Sequence, residues 1–288
     1  PGPVKPDPAF NFARNPEELH TNGDISNTHY DMNIVYIDAV FRHLLWTGDV
    51  EFAKKLWPVI KRHLAWERRL FRREYGPEKL PLYEAYICIW ASDDLQYGGS
   101  GVTHSTAYNY YHQKSAARIA RLIGEDPAPY ELEADLIQKA MRRNLWLNDQ
   151  GWYGEYKDLF GLQKVHPSAA LWTYYHAVDS ETMSPTEAWQ MSQYVDTSIP
   201  RIPIPNTSSD TGDYFTHSTT NWMPYTWSTN NVVLAESTHT ALGHWQSGRD
   251  ETAFRLFKGA LLDSMYMGVC PGNVGMSTDF DAARRESF

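Results

Sequence analysis

The residues with the most chemistry within reach of one another lie between Trp90 and Tyr111. Two adjacent carboxylates, Asp93 and Asp94, follow Trp90, and a glycine-rich turn of Gly98, Gly99 and Gly101 comes after Tyr97. Thr103, Ser105 and Thr106 then stand ready to cap a helix. Glycine lets the backbone swing close to a ligand, and Trp90 and Tyr97 offer flat faces beside the acids. Acids, aromatic faces and a loop feeding a helix N-terminus are what a sugar-cleaving site needs. The same residues would also serve a turn that is merely capped and solvated, so the elements around the stretch have to decide.

The chain has 288 residues, 42% of them hydrophobic and 21% charged, which suffices for a sizeable core in one large domain or two ordinary ones. A net charge of −9 argues against a nucleic-acid partner, which wants a basic surface. No apolar run approaches the ~20 residues of a membrane-spanning helix. Aromatic residues make up 14% of the chain, with 11 Trp and 18 Tyr, and many fall in polar loops such as Asn221-Trp-Met-Pro-Tyr-Thr-Trp227. Rings in loops face ligands with apolar faces and polar edges, a description that sugars fit. Cys88 and Cys270 read first as two buried free thiols, with a disulfide open only where the fold brings them together. The Pro-Gly-Pro start has no signal-peptide pattern, and no compartment is read from it.

Residues 1–27, rich in Pro and Asn without a period, read as an extended arm or linker. From about Thr28 the pattern is helical, with Ile34, Ile37, Phe41, Leu44 and Leu45 at three- and four-residue steps. Thr47-Gly48-Asp49 ends that helix and caps the next, which carries Phe52, Leu56, Ile60 and Leu64 on one face to about Glu74. Its Lys54, Lys55, Lys61, Arg62, Arg68 and Arg69 read as a solvated face. The same punctuation recurs at Gly124, between helices over about 104–123 and 128–146. It recurs again at Gly248, between helices over about 229–246 and 250–266. Ser184-Pro185-Thr186-Glu187 is a capping box with Pro at the first helical position, after a short aromatic helix over about 167–178. Strand signals are limited to Tyr86–Trp90 and Trp152–Tyr156. The chain is therefore all-α, a series of helical hairpins hinged near 48, 124, 184 and 248, about 67 residues apart. Long decorated linkers between the hairpins favour a closed α/α toroid with a site on one rim over an open solenoid.

Three segments carry a resemblance. The helix from Asp31 to the Thr47-Gly-Asp49 ending, the acidic loop and helix from Asp93 through Gly124, and Leu234-Ala-Glu-Ser through Ser247-Gly-Arg-Asp-Glu-Thr-Ala253 resemble, in this order, the six-hairpin, (α/α)6-barrel glycoside hydrolases. The resemblance covers nearly all of 28–288 and implies a catalytic-like barrel domain that cleaves glycosidic bonds with inversion, outside the cytoplasm, often beside an additional β-rich domain. Six hairpins of this length exceed the chain, which has room for about four. It is therefore expected to be a shortened barrel or a piece of a larger protein.

Glycoside hydrolysis takes two carboxylates, one to protonate the leaving oxygen and one to act as base or nucleophile. Asp94 is the first choice for the acid, with Asp93 behind it. For the partner, Glu236 lies roughly two turns into its helix, and Glu84 precedes the acidic loop. Glu286, beside Arg284 and Arg285, is a further candidate that a terminal salt bridge explains better. Stacking platforms would be Trp90, Tyr97, Trp152, Trp222, Tyr225 and Trp227. Glu155 near the rim would bind hydroxyls, and His29, His104, Asn221, Asn230 and Asn231 would donate hydrogen bonds. Asp31 would touch substrate or cap backbone amides.

No cofactor or metal motif is found. There is no Cys-x-x-Cys and no His-Glu-x-x-His, and His239 and His244 miss the i,i+4 spacing of a helical zinc pair. The Gly-Ser-Gly at 99–101 fails the nucleophile-elbow spacing at Val102. Two other readings stay open: a polysaccharide lyase using Tyr97, Tyr108 or His104 as base, against which the acidic net charge speaks, and a non-catalytic glycan-binding or scaffold barrel.

Overall fold

The computed structural model describes residues 32–84, 100–205, 211–222, 230 and 232–263. Among the described residues eight helices fall in four hairpins: α1 (Met32–Thr47) with α2 (Val50–Phe71), α3 (Thr103–Ile123) with α4 (Ala128–Asn144), α5 (Leu171–Asp179) with α6 (Pro185–Ser198), and α7 (Leu234–Gln246) with α8 (Asp250–Leu261). Between them run short strands: β1 (Arg72–Tyr75), β2 (Leu80–Tyr83), β3 (Gly101–Val102), β4 (Trp146–Leu147), β5 (Trp152–Tyr153), β6 (Tyr156–Lys157), β7 (Val165–His166), β8 (Arg201–Pro203) and β9 (Phe215–His217).

Every expected hinge is present, and its chemistry is local. Asp49 caps α2 by accepting from the Phe52 amide at 2.9 Å. Gly124 has φ +81°, and the Glu125 amide reaches back to the Ala120 carbonyl at 2.8 Å, the Schellman closure that a left-handed residue permits. Gly248, at φ +74°, closes α7 in the same way, with the Arg249 amide on the His244 carbonyl. Ser184 and Glu187 form the capping box of α6.

The odd-numbered helices form an inner layer, packing in the succession α1, α3, α5, α7, and each even-numbered helix backs its partner from outside. Burial shows why. Fifteen of the 21 residues of α3 are buried, and seven of the nine of α5; α5 is covered nearly all round, and α3 meets solvent only along Arg118, Arg121 and Leu122 near its C-terminus. By contrast α2 buries one stripe, Ala53, Trp57, Ile60, Leu64 and Phe71, and leaves its lysines and arginines outside as expected. One core cluster joins α1, α2 and α3 around Phe41, Trp57 and Ile60. A larger one surrounds Tyr83, Tyr153, Trp172 and Tyr174. Leu45, expected on the buried face of α1, is 42% exposed, because it falls one residue past the stripe that ends at Leu44.

Two strand pairs lie where no strand is expected. Arg72-Arg-Glu-Tyr75 continues the charged pattern of α2 but turns into a hairpin with β2, Arg72 pairing Tyr83. Likewise β8 pairs β9, Arg201 facing His217. The expected strand at 152–156 is present as β5 and β6. The one at 86–90 and the arm at 1–27 lie outside the described residues, as do Cys88 and Cys270.

Candidate active site

The hairpin order fixes where a site can be built. The joints at 48–49, 124–127, 180–184 and 247–249 are short and follow the C-termini of the inner helices. The long linkers, 72–102, 145–170 and 199–233, all lead into inner-helix N-termini. The three linkers are stitched together there. β3 pairs β6, Val102 facing Tyr156, and β6 pairs β7. Thr103 donates its hydroxyl to the Gly154 carbonyl at 2.6 Å, the Leu171 amide donates to Thr219 at 2.9 Å, and the Trp222 indole donates to Ser168 at 2.9 Å. One end of the inner layer is thus a rim of long, cross-linked loops.

Glu236 belongs to this rim. The sequence pattern starts the helix near 229 and so places Glu236 two turns inside it; α7 starts at Leu234, and Glu236 sits in the first turn. Its carboxyl is 3% exposed and accepts from the Tyr175 hydroxyl at 2.5 Å. Burial pushes its pKa up to about 7; the Tyr175 hydrogen bond and nearby His239 pull the other way without cancelling it. A carboxyl in this state is poised to hold or release a proton at neutral pH.

Glu84 also reaches the rim, at the end of β2, where it pairs with Gly101 across residues 85–99. It is 8% exposed and held by the Arg73 guanidinium at 3.0 and 3.1 Å. Burial raises its pKa while Arg73 opposes the rise. The bidentate arginine makes it an ion-pair partner first.

The other candidates divide. Glu155, expected to bind hydroxyls at the rim, is wholly buried: its oxygens accept from the Ala170 amide at 2.9 Å, the Trp172 indole at 2.7 Å and the Thr173 hydroxyl. It anchors the start of α5, because a buried carboxylate needs donors on every side. His104, expected to face a sugar, is fully buried 3.7 Å from Glu155, and burial lowers its pKa to about 3, leaving it neutral inside the wall. Trp152, expected as a platform, lies on the Tyr194 ring of α6 at 4.6 Å and donates to the Pro167 carbonyl; it packs the linker onto an outer helix. Trp222 is half-buried, edge-on to Trp172 at 5.8 Å. Asn221 is tied to the Ser198 carbonyl at 3.1 Å, and Asn230 accepts from the Ser218 hydroxyl. Tyr108 is buried, with its ring 4.4 Å from His176. Asp93, Asp94, Trp90, Tyr97, Tyr225, Trp227, Asn231, His29, Asp31 and Glu286 lie outside the described residues.

Tyr175 escapes the sequence reading, and its neighbour His239 is weighed there only as a failed zinc ligand. The Tyr175 ring stacks on His239 at 4.0 Å while its hydroxyl holds Glu236. The available signal is that Leu171-Trp-Thr-Tyr-Tyr-His has no polar face, and a tyrosine in a helix buried all round has to find a hydroxyl partner.

No protein-family model and no curated protein matches the chain. Solved structures do. The GH63 mannosylglycerate hydrolase from Thermus thermophilus in complex with glucose is 15% identical, with TM-score 0.57 over 87% of this chain and 73% of that one. A rhamnosidase from Klebsiella oxytoca with rhamnose bound is 14% identical, with TM-score 0.55 over 90% of this chain and 47% of that one. A GH78 rhamnosidase of Bacillus sp. GL1 is 14% identical, with TM-score 0.55 over 87% of this chain and 25% of that one. The chain spans about half the length of one rhamnosidase and a quarter of the other. These neighbours are glycoside hydrolases on (α/α)6 barrels, and the chain therefore has the α/α-toroid fold of the six-hairpin glycosidases.

Proposed function

We propose that the chain is a glycoside hydrolase acting with inversion, in which Glu236 donates the proton to the leaving oxygen and Asp94, supported by Asp93, holds the attacking water. The observation that carries this reading is the state of Glu236: a buried carboxyl in the first turn of an inner helix, at the looped rim, with its pKa raised to about 7. A general acid has to be protonated before the bond breaks. This exchanges the roles expected from the sequence, where Asp94 is the acid. The flanks of residues 85–99 are paired at Glu84 and Gly101 on the same rim, which favours a base from that segment. The GH63 neighbour with glucose bound and the rhamnosidase with rhamnose bound point to a pyranoside of the gluco, manno or rhamno series as substrate.

The test is a leaving-group comparison on the cleaved member of a panel of aryl glycosides. Glu236→Gln should lose about 10²–10⁴-fold on a glycoside with a poor leaving group and recover most of that on a dinitrophenyl glycoside, which leaves without protonation. Asp94→Asn should lose activity on both. Equal loss by Glu236→Gln on both substrates would remove it as the acid. Proton NMR of the first-formed sugar anomer reports inversion or retention.

A further inference from the structure

Between the outer helix α2 and the inner helix α3, three side chains converge without donors for their lone pairs among the described residues. His63 and Glu67 stand four residues apart on α2, hence on one face. Oε1 of Glu67 lies 2.8 Å from Nε2 of His63, yet the contact lacks hydrogen-bond angles. Among the described residues neither oxygen of Glu67, nor Nε2 of His63, meets a hydrogen-bond partner. Glu67 is 0% exposed and His63 9%. From α3 comes His112, also 0% exposed, with Nδ1 unpartnered. One donor atom from each of the three lies within 4.8 Å of the others.

A carboxylate removed from water with no donor costs several kcal/mol, so the cluster needs a positive partner: a protonated His63 at 2.8 Å, or an ion that also takes up the lone pair of His112. The donor set favours the ion. Ligand atoms around a tetrahedral zinc at 2.0–2.1 Å stand about 3.3 Å apart, and lone pairs that aim at a common point do not hydrogen-bond to each other. His112 also has the support that metal-bound histidines use: its Nε2 faces Oδ1 of Asp38 on α1 at 3.3 Å. A proton placed there leaves the Nδ1 lone pair free for a metal. Calcium and magnesium want more oxygen ligands than this set supplies.

We propose that His63, Glu67 and His112 bind one divalent transition-metal ion, zinc by the donor set, which fastens α2 to α3 while Asp38 orients His112 from α1. The site is structural and separate from Glu236, which lies on the fourth hairpin. The role needs no residue of the rim, so the proposal stands or falls apart from the proposed activity.

The experiment is a cobalt(II) titration of the chelator-stripped chain. The expected result is one cobalt per chain with the intense visible bands of four-coordinate cobalt, bleached by one equivalent of zinc. Zinc should also raise the thermal midpoint by roughly 5 °C when saturating. Glu67→Gln and His112→Gln should lose the bands and the zinc-dependent rise, whereas His43→Gln, an exposed histidine on α1, should keep both. If the two ligand variants do not fold, the wild-type titration decides alone. Absence of the bands together with a midpoint indifferent to zinc overturns the proposal.

Discussion

The two ends of the inner layer treat buried carboxylates in opposite ways. At the rim Glu236 is removed from water and, among the described residues, has the Tyr175 phenol as its hydrogen-bond partner, and its pKa rises to about 7. At the other end the side chain of Asp179, the last residue of α5, is 8% exposed, and burial alone would push its pKa up. There the His239 ring lies 3.9 Å away, the Arg42 guanidinium touches it at 2.5 Å and the Gln246 amide donates at 2.8 Å. Together they hold Asp179 well below the usual carboxylate range. Arg42 also pairs with Asp38 at 2.7 Å, so one guanidinium joins α1 to α5. The difference teaches that burial by itself makes an acid, and that a cation makes a structural anion. His239 lies one turn beyond Glu236 on α7 and borders both environments.

The comparison is broken most directly by removing the proton at the rim. Glu236 binds more protons folded than unfolded between about pH 4.5 and 7, so its contribution to stability is present below that window and lost as pH rises through it. The loss amounts to about 3 kcal/mol above pH 8. Glu236→Gln, which keeps the neutral shape, should be more stable than the parent by about that amount at pH 8 and nearly equal to it at pH 4. Urea denaturation at the two pH values measures it. A variant that tracks the parent at both would mean that Glu236 is not raised.

Removing the cation at the other end should cost nearly as much, with the opposite pH dependence. Arg42→Ala leaves Asp38 and Asp179 buried without their guanidinium, which costs roughly 2–3 kcal/mol at neutral pH once the partly exposed arginine is discounted for screening. Asp179 has a depressed folded pKa, so its stabilisation is present above the unfolded value and disappears as pH falls through the folded one. The deficit of Arg42→Ala should therefore shrink in acid. A deficit constant from pH 7 down to pH 3 would show that packing, not charge, is what Arg42 supplies.

The two ends also differ in how far the sequence reveals them. The joints are legible because their chemistry lies within a few residues: a cap at Asp49, a left-handed glycine at 124 and 248, a box from Ser184 to Glu187. Four hairpins and their inner and outer layers follow from them. The rim is not legible in that way. Whether Glu155 binds ligand or anchors α5 depends on Trp172 and Thr173, a linker and a helix start away. The protonation of Glu236 depends on Tyr175, contributed by another hairpin. The pattern also starts α7 about five residues early, near 229, whereas the helix begins at Leu234. The His63, Glu67 and His112 cluster exists only once α2 has packed on α3.

Tyr175→Phe sharpens the rim side. The hydroxyl favours the charged form of Glu236, so its loss should move the pKa further above 7. The alkaline limb of any activity that needs protonated Glu236 should shift upward, with about 1 kcal/mol of stability lost with the hydrogen bond. A limb that stays in place would assign it to another group. Asp179 should keep its acid behaviour, since the ring that stacks on His239 is retained.

The smallest effect is expected at a joint. At Gly124 φ is +81°, and a Cβ there would meet nothing within 4 Å. The cost of Gly124→Ala is therefore conformational alone, about 1 kcal/mol for an L-residue held in the left-handed region. It should appear as a lower urea midpoint with an unchanged slope. Because the joint follows the C-terminus of α3 while the rim is built at its N-terminus, turnover below the melting range should equal that of the parent. A change in turnover without further loss of stability would mean that strain at a joint is passed along α3 to the loops, and the two ends of the inner layer would then have to be treated as one mechanical unit.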